Sequence, residues 1–250
     1  MMILNERDLI IPDWPAPINV KALQTTRRGG VSSAPYDTLN LGMHVEDEPL
    51  NVARNRQLLN VIVPTEPVWL NQVHGVKAVD AGNTTCVPDA DASWSRTRHT
   101  VCAVMTADCL PVLLCDREGS VVAAAHAGWR GLCDGVIEST VSAMQVPTEA
   151  LIAWLGPAIG PSAFEVGDDV RVEFMRQQQE AESAFIPAGA GKWLGNMYRL
   201  ARLRLERLGV TAVYGGGFDQ DFCTYTDSER FYSFRRDGRT GRMATLIWLD

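Results

Sequence analysis

The sequence has no excess of positive charge and no long apolar run. Its 250 residues carry 23 Lys and Arg against 30 Asp and Glu, which gives a net charge of −7. This balance argues against nucleic acid as the main partner, because too few basic side chains are present to neutralise many phosphates. The first twenty residues show no secretion signal, transit peptide or membrane span. We therefore expect a cytoplasmic protein with no membrane partner.

Internal repeats, low-complexity tracts and Pro/Gly/Ser-rich linkers are also absent, so we expect one domain over residues 1–250. No G-x-G-x-x-G follows a predicted strand, which excludes an ordinary dinucleotide-binding fold. The six cysteines, at positions 86, 102, 109, 115, 133 and 223, form no C-x-x-C pair. This usage is typical of a reducing compartment, where cysteine serves as a small buried hydrophobe or as a reactive thiol.

Short and nearly continuous hydrophobic runs dominate the centre of the chain. Such runs predict strands that are covered on both faces, and they lie at 101–105, 111–115 and 121–125. Helices are predicted at 131–144 and 192–208, and closing strands at 231–234 and 244–248. This balance predicts an α+β protein, built as a layered sandwich with mixed sheets.

Three metal-ligating side chains each stand beside a predicted chain reversal. His74 lies in Gln72-Val-His-Gly75, Cys109 in Thr106-Ala-Asp-Cys-Leu110 and His126 in His126-Ala-Gly-Trp-Arg-Gly131. A single histidine in such a place is more often a packed or surface residue than a ligand. Two imidazoles and one thiolate together suit zinc and leave one coordination position open for chemistry. Copper also binds such ligands.

Three other polar residues are candidates for chemistry or binding. Asp108 could act as an acid or base, could orient a histidine ligand, or could simply stabilise its turn. His44 could lie just outside the metal ligands. Arg27, beside Gly29 and Gly30, could form a phosphate cradle.

The remaining candidates are assigned to substrate binding or to an anion. Arg130 could bind an anion or pair with a carboxylate, and Cys223 could line a pocket. Gln72 belongs to the His74 turn and is grouped with them. The arginines at 235, 236, 239 and 242 form either a small anion site or a solvated face.

Several blocks of the sequence resemble the bacterial YfiH family, which is also called peptidoglycan editing factor or multicopper polyphenol oxidoreductase (laccase). The resemblance extends from about Ile11 to Trp248. Its blocks are Thr26-Arg-Arg-Gly-Gly-Val-Ser32, Asn40-Leu-Gly42, Gln72-Val-His-Gly75, Met105-Thr-Ala-Asp-Cys-Leu-Pro111, His126-Ala-Gly-Trp-Arg-Gly131, Gly156-Pro-Ala-Ile-Gly160 and Cys223-Thr-Tyr-Thr226. One departure is the long segment 215–222, which we expect to reshape the pocket rim near Cys223.

The resemblance implies an α/β/β layered fold, shared with certain cysteine-hydrolase-like toxins. It implies zinc bound by His74, Cys109 and His126. It also implies phosphorolysis of adenosine, inosine and methylthioadenosine, adenosine deamination, and a role in editing peptidoglycan precursors. The expected partners are therefore purine nucleosides and phosphate, with Arg27 positioning the phosphate and Asp108 or His44 protonating the leaving base.

Three other functions remain open from the sequence. A copper-dependent laccase needs more ligands than His44 and His99, the two remaining histidines, supply. A metal-free cysteine hydrolase would use Cys109 as nucleophile with His126 or His74 as base. A non-enzymatic partner of cell-wall ligases would hold a structural zinc with a fourth ligand such as Cys223. Both a monomer and a homodimer fit the sequence.

Overall fold

A six-stranded mixed sheet forms the centre of the computed structural model, which describes residues 4–5, 7–216 and 222–250. The strands of the chain are β1 (Leu9–Ile10), β2 (Val20–Thr25), β3 (Ala78–Asp80), β4 (Ala92–Ser95), β5 (Cys102–Thr106), β6 (Leu110–Asp116), β7 (Val122–Ala127), β8 (Leu151–Leu155), β9 (Glu165–Gly167), β10 (Phe185–Pro187), β11 (Lys192–Gly195), β12 (Ala212–Gly215) and β13 (Met243–Leu249). The central sheet has the order β12-β8-β6-β7-β4-β3. Its middle strand β6 runs antiparallel to both neighbours, whereas the β12–β8 and β3–β4 pairs are parallel.

Two further sheets, six α-helices and three short 3-10 helices complete the described part of the chain. An antiparallel sheet has the order β1-β2-β13-β5, and a small one has the order β10-β11-β9. The helices are α1 (Pro49–Asn60), α2 (Trp129–Asp134), α3 (Val136–Met144), α4 (Asp168–Gln177), α5 (Met197–Leu208) and α6 (Phe234–Asp237). None of the helices in the described ranges is long and apolar enough to cross a membrane.

The central sheet is covered on both faces, and strand β6 shows how. Val112 and Leu114 pack with the side chains of α3 and α5 on one face. Leu113 and Cys115 pack on the other face with residues of β5 and β13 from the four-stranded sheet. Because every side chain of β6 is buried, the strand is a continuous hydrophobic run in the sequence. The predicted α/β/β layered sandwich is confirmed.

An additional layer covers the outer face of the four-stranded sheet. Leu246 and Trp248 of β13 pack there against Leu39, Leu41 and Leu59, the last of which belongs to α1. The segment before α1 therefore has its own hydrophobic contacts with the sheet. This layer holds the loop that carries His44.

Two helices differ from their predicted bounds for identifiable reasons. The helix expected over 131–144 is divided into α2 and α3 at Gly135, whose φ of 106° is incompatible with a continuous helix. The helix expected over 192–208 begins only at Met197. Asn196 caps it by accepting a hydrogen bond from the backbone N–H of Arg199, and the residues before the cap form strand β11.

The strand predicted at 231–234 is wrong. The Ser233 side chain accepts a hydrogen bond from the Arg236 N–H and so begins the short helix α6. The apolar residues Phe231 and Tyr232 are buried in a loop rather than in a sheet. This helix start places Phe234 and Arg235 beside the site described next.

Candidate functional site

Two of the three predicted ligands lie where two neighbouring inner strands of the central sheet begin and end. Strands β6 and β7 are antiparallel, with Pro111 opposite His126 and Leu110 opposite Ala127. Cys109, immediately before β6, is therefore beside the end of β7 that carries His126. The third ligand, His74, lies beside these strand ends. It belongs to a turn, and its own φ is 60°.

The geometry of the three side chains suits a single metal ion. One ligand atom from each of His74, Cys109 and His126 lies within 4.8 Å of the others. Cys109 Sγ and His74 Nε2 are 3.8 Å apart. A tetrahedral zinc ion separates such atoms by roughly 3.3–3.6 Å, so a small contraction would complete the site. His126 is buried and His74 is exposed, which leaves one side of the group open to solvent.

A fully buried carboxylate that the sequence analysis missed positions both histidines. Asp91 Oδ1 lies 2.8 Å from His126 Nδ1, which leaves His126 Nε2 available as a ligand. The same carboxylate accepts hydrogen bonds from the backbone N–H groups of His74 at 3.0 Å, Gly75 at 2.7 Å and Val73 at 3.2 Å. These bonds hold the His74 turn. From the sequence, Asp108 is a candidate for this orienting role. The signal for Asp91 is that it stands between two alanines, Ala90 and Ala92, which are both buried in the structure.

The electrostatics of the group favour the thiolate that binds metals. Burial raises the pKa of the Cys109 thiol, but the charge and hydrogen bond of His126, with those of His74, outweigh it and lower this pKa to about 6. Burial lowers the pKa of His126, whereas the charge of Cys109 and the hydrogen bond that His126 donates to Asp91 raise it to about 9. The metal-free site therefore holds a thiolate near neutral pH, the form that ligates zinc.

The glycines of the His126 turn are required by close packing. A Cβ at Gly128 would lie 2.7 Å from His74 Cδ2 and 3.2 Å from Cys109 Sγ. A Cβ at Gly131 would lie 2.7 Å from the carbonyl oxygen of Gly75. The two turns therefore contact each other directly, and this contact brings the distant ligands together.

An aromatic cavity opens beside Cys109. Its volume is about 160 Å³ and it is open to solvent on one side, so it is a shallow site compared with the roughly 300–1,000 Å³ usual for small-molecule pockets. Its walls include three aromatic rings, each with a guanidinium carbon over it: Arg130 over Trp129 at 4.5 Å, Arg235 over Phe164 at 5.7 Å and Arg242 over Phe234 at 5.9 Å. The cavity therefore combines flat apolar surfaces with positive charge.

Asp108 lines this cavity, and both oxygens of its carboxylate are hydrogen-bonded. Oδ1 accepts from the Thr224 hydroxyl and Oδ2 from the backbone N–H of Arg235, both at 2.6 Å. Asp108 thus fastens two later segments of the chain to the Cys109 turn. Its φ of 89° shows how sharply that turn bends.

His44 lies in the loop above the four-stranded sheet. Burial lowers the pKa of its imidazole, and the positive charges of Arg242, Arg56 and His126 lower it further. The lowered pKa favours the neutral form of this imidazole.

Arg27 and Gln72 have their polar groups bound within the protein. Arg27 donates to the carbonyl and carboxylate oxygens of Asp37 and to the carbonyl of Ser228. The Gln72 amide donates to the Met105 carbonyl at 2.8 Å and accepts from the Met105 N–H at 2.7 Å. Gln72 thus fastens the His74 turn to strand β5.

Arg130 and Cys223 differ in burial and in their neighbours. Arg130 is exposed, over the Trp129 ring. Cys223 is buried, accepts a hydrogen bond from the Gly160 N–H at 3.2 Å, and lines a second cavity with Tyr198. It is not among the three grouped ligands. Residues 217–221 of the long segment before Cys223 lie outside the described residues, so the expected effect on the pocket rim stays a prediction.

Comparisons with known proteins agree with the sequence resemblance. Residues 21–250 match a family model described as multi-copper polyphenol oxidoreductase laccase. A Pseudomonas aeruginosa protein named purine nucleoside phosphorylase is 56% identical over 242 residues, 96% of this chain and 98% of that protein. Escherichia coli YfiH, also named a purine nucleoside phosphorylase, is 55% identical over 244 residues, covering 96% and 98% of the two chains.

A solved structure is similar over almost the same length. A Neisseria meningitidis protein superposes with a TM-score of 0.93 and 53% identity, over 97% of this chain and 99% of that one. The fold, the grouped ligands and the match over residues 21–250 show that this chain belongs to the YfiH family, whose model is described as multi-copper polyphenol oxidoreductase laccase.

Proposed function

We propose that the protein is a zinc-dependent purine nucleoside phosphorylase that acts on adenosine, inosine and methylthioadenosine and also deaminates adenosine. The observation that carries the proposal is that Cys109 belongs both to the metal-ligand group and to the wall of the aromatic cavity. A substrate in that cavity would lie against the open side of the metal. The names of the relatives that are 47–56% identical agree with this activity.

The cavity provides surfaces for each part of a nucleoside and its co-substrate. Zinc held by His74, Cys109 and His126 supplies Lewis-acid chemistry when bound. The rings of Trp129 and Phe234 offer stacking surfaces for a purine, and the guanidinium groups over them attract an anion. Bound phosphate would attack the ribose C1′, the C1′–N9 bond would break, and the bonding electrons would pass to the purine.

Two side chains could contact the purine as it leaves, one as a hydrogen-bond acceptor and one as a donor. The Asp108 carboxyl group, which the Thr224 hydroxyl and the Arg235 N–H hold in place, can accept a hydrogen bond from an N–H of the base. Neutral His44 can donate one N–H. We expect Asp108→Asn and His44→Ala each to lower kcat more than they raise the KM for the nucleoside.

The direct test is a product analysis with purified, zinc-loaded protein. Adenosine with phosphate should give adenine and ribose 1-phosphate, and adenosine without phosphate should give inosine. The His74→Ala variant should lose both products because it lacks a ligand. If the parent protein forms neither ribose 1-phosphate nor inosine, the proposal is wrong.

A metal-free cysteine hydrolase is the second candidate, and one arrangement favours it. Cys109 has a lowered pKa, and His126 is paired with buried Asp91, as in a nucleophile–base–carboxylate triad. Chelators separate the two functions. A zinc enzyme loses activity with a chelator and recovers it with zinc, whereas a cysteine hydrolase keeps its activity with the chelator and loses it on alkylation of Cys109.

The laccase description of the family model suggests copper chemistry instead. The chain has four histidines, and the described residues contain one group of at least three potential metal ligands. This group could hold one ion, whereas a multicopper cluster needs several further histidines. We therefore favour phosphorolysis over polyphenol oxidation as the function of this site. Oxygen consumption with a polyphenol, measured with copper-loaded and zinc-loaded protein, tests that order.

A further inference from the structure

We propose that Arg242, assisted by His44, is the binding site for the phosphate co-substrate beside the aromatic cavity. This inference rests on the proposed phosphorolysis, and it assigns the anion to a residue other than Arg27. It follows from the position of Arg242, from the atoms that its guanidinium leaves free, and from its neighbour.

The sheet register places Arg242 beside the metal-ligand turn. Met243, the first residue of β13, pairs with Thr106, the last residue of β5. Arg242 therefore lies next to Ala107, two residues before Cys109. Its guanidinium carbon is 5.9 Å from the centre of the Phe234 ring, which lines the cavity.

The Arg242 side chain is held in place by backbone carbonyls, which use only part of its guanidinium group. Nη1 donates to the carbonyls of Thr240 and Gly241, both at 3.0 Å, and the backbone N–H donates to Asn40 Oδ1 at 2.9 Å. Its Nε and Nη2 have no hydrogen-bond partner among the described residues, and no carboxylate there is within salt-bridge distance. One edge of the guanidinium is therefore fixed and the other is free to bind an oxyanion.

Arg27 is in the opposite situation, although it has the same chemistry. Its Nε, Nη1 and Nη2 already donate to Asp37 and Ser228, and the Asp37 carboxylate balances its charge. Phosphate at Arg27 would have to displace these bonds. Phosphate at Arg242 would instead satisfy N–H donors that are otherwise free. Partial burial lowers the pKa of Arg242 because its charge is poorly solvated, and a bound anion would compensate that charge.

His44 lies against the same glycine as Arg242. A Cβ at Gly42 would be 2.8 Å from Arg242 Cγ and 3.4 Å from His44 Cε1, so both side chains pass over this residue. The imidazole there can donate one hydrogen bond to a phosphate oxygen. Gly42 leaves the space in which these two groups approach each other.

The test compares phosphate dependence in Arg242→Gln and in a matched control, Arg239→Gln. Arg239 precedes Arg242 by three residues, is exposed, and pairs with Glu46 and the Tyr36 hydroxyl. Loss of charge-assisted hydrogen bonds should raise the KM for phosphate roughly 10–100-fold in Arg242→Gln. The KM for the nucleoside and the zinc content should stay at the parent values, and Arg239→Gln should match the parent throughout.

A binding measurement keeps this test independent of activity. Inorganic phosphate should raise the melting temperature of the parent and of Arg239→Gln but not that of Arg242→Gln. If Arg242→Gln does not fold, Arg242→Lys decides the matter: it keeps the charge but lacks the two-donor edge, so its phosphate KM and melting shift should be intermediate.

The possible failures are distinguishable. A parent protein that forms no ribose 1-phosphate but is stabilised by phosphate through Arg242 refutes the proposed function and keeps the anion site. An active parent whose phosphate KM is unchanged in Arg242→Gln, or is raised by Arg27→Gln instead, refutes the site and keeps the function.

Discussion

The Asp91→Asn substitution tests how the site is built, because this one carboxylate serves two of the three ligands. Asp91 contacts His126 Nδ1 and accepts three backbone N–H bonds from residues 73–75. An asparagine has the same shape, but its amide nitrogen cannot accept. We expect about two of the four interactions to be lost, at about 1–3 kcal/mol each, since the Asp91 side chain is fully buried.

The effect on the metal is expected to be larger than the effect on the rest of the fold. Loss of a group that orients a metal-bound histidine typically lowers metal affinity about 10–100-fold. Zinc affinity is measured by competition with a chromophoric chelator, and the stability of the zinc-free protein by denaturant unfolding. Asp89→Asn is the matched control, because exposed Asp89 lies on the same segment and bonds only the Asn71 amide among the described residues.

Two results would refute this reasoning. One is a folded Asp91→Asn protein that binds zinc as tightly as the parent. The other is an equal loss of zinc affinity in Asp89→Asn, which would mean that the total negative charge of the segment, rather than the contacts of Asp91, controls the site.

Three further predictions concern the cavity and its ligands. In zinc-free protein, the rate of Cys109 alkylation, measured by mass spectrometry, should rise with pH through about 6 and level off near neutrality because the thiol is then ionised. Zinc should suppress the alkylation, and a rise centred near pH 8.5 would contradict this prediction. Gly128→Ala should lower zinc affinity at least about tenfold with every ligand retained, because its Cβ would displace His74 and Cys109; an unchanged chelator titration would contradict it. Phe234→Ala should raise the KM for the nucleoside roughly tenfold through lost stacking, with zinc content unchanged; an unchanged KM would show that the purine does not contact this ring.

The strands were predictable from the sequence because their burial is unusually complete. Strand β8 (Leu151–Leu155) is buried at every position, and so is β6, so hydrophobic runs mark both. Helix ends were less predictable, since they depend on single residues. Gly135 divides one helix and Ser233 begins another where apolar residues predicted a strand.

Grouping of the ligands could be anticipated only in part. The register of β6 and β7 brings Cys109 to His126, as two neighbouring strand ends predict. His74 is brought in by tertiary contacts that leave no periodic signal, namely the Asp91 bonds to its turn and the packing of Gly131 against Gly75. The sequence favours Arg27 over Arg242 as the phosphate ligand because Gly29 and Gly30 beside it suggest a phosphate cradle. Only the structure shows that the Arg27 guanidinium is already bound to Asp37 and Ser228.

Metal analysis of protein prepared without added metal tests the central claim most directly, namely that His74, Cys109 and His126 share one divalent ion. The account predicts about one zinc per chain in the parent, the same in His99→Ala, whose exposed ring lies elsewhere, and loss of zinc in His74→Ala. A parent that binds no metal, or a folded His74→Ala variant that keeps its zinc, would contradict it.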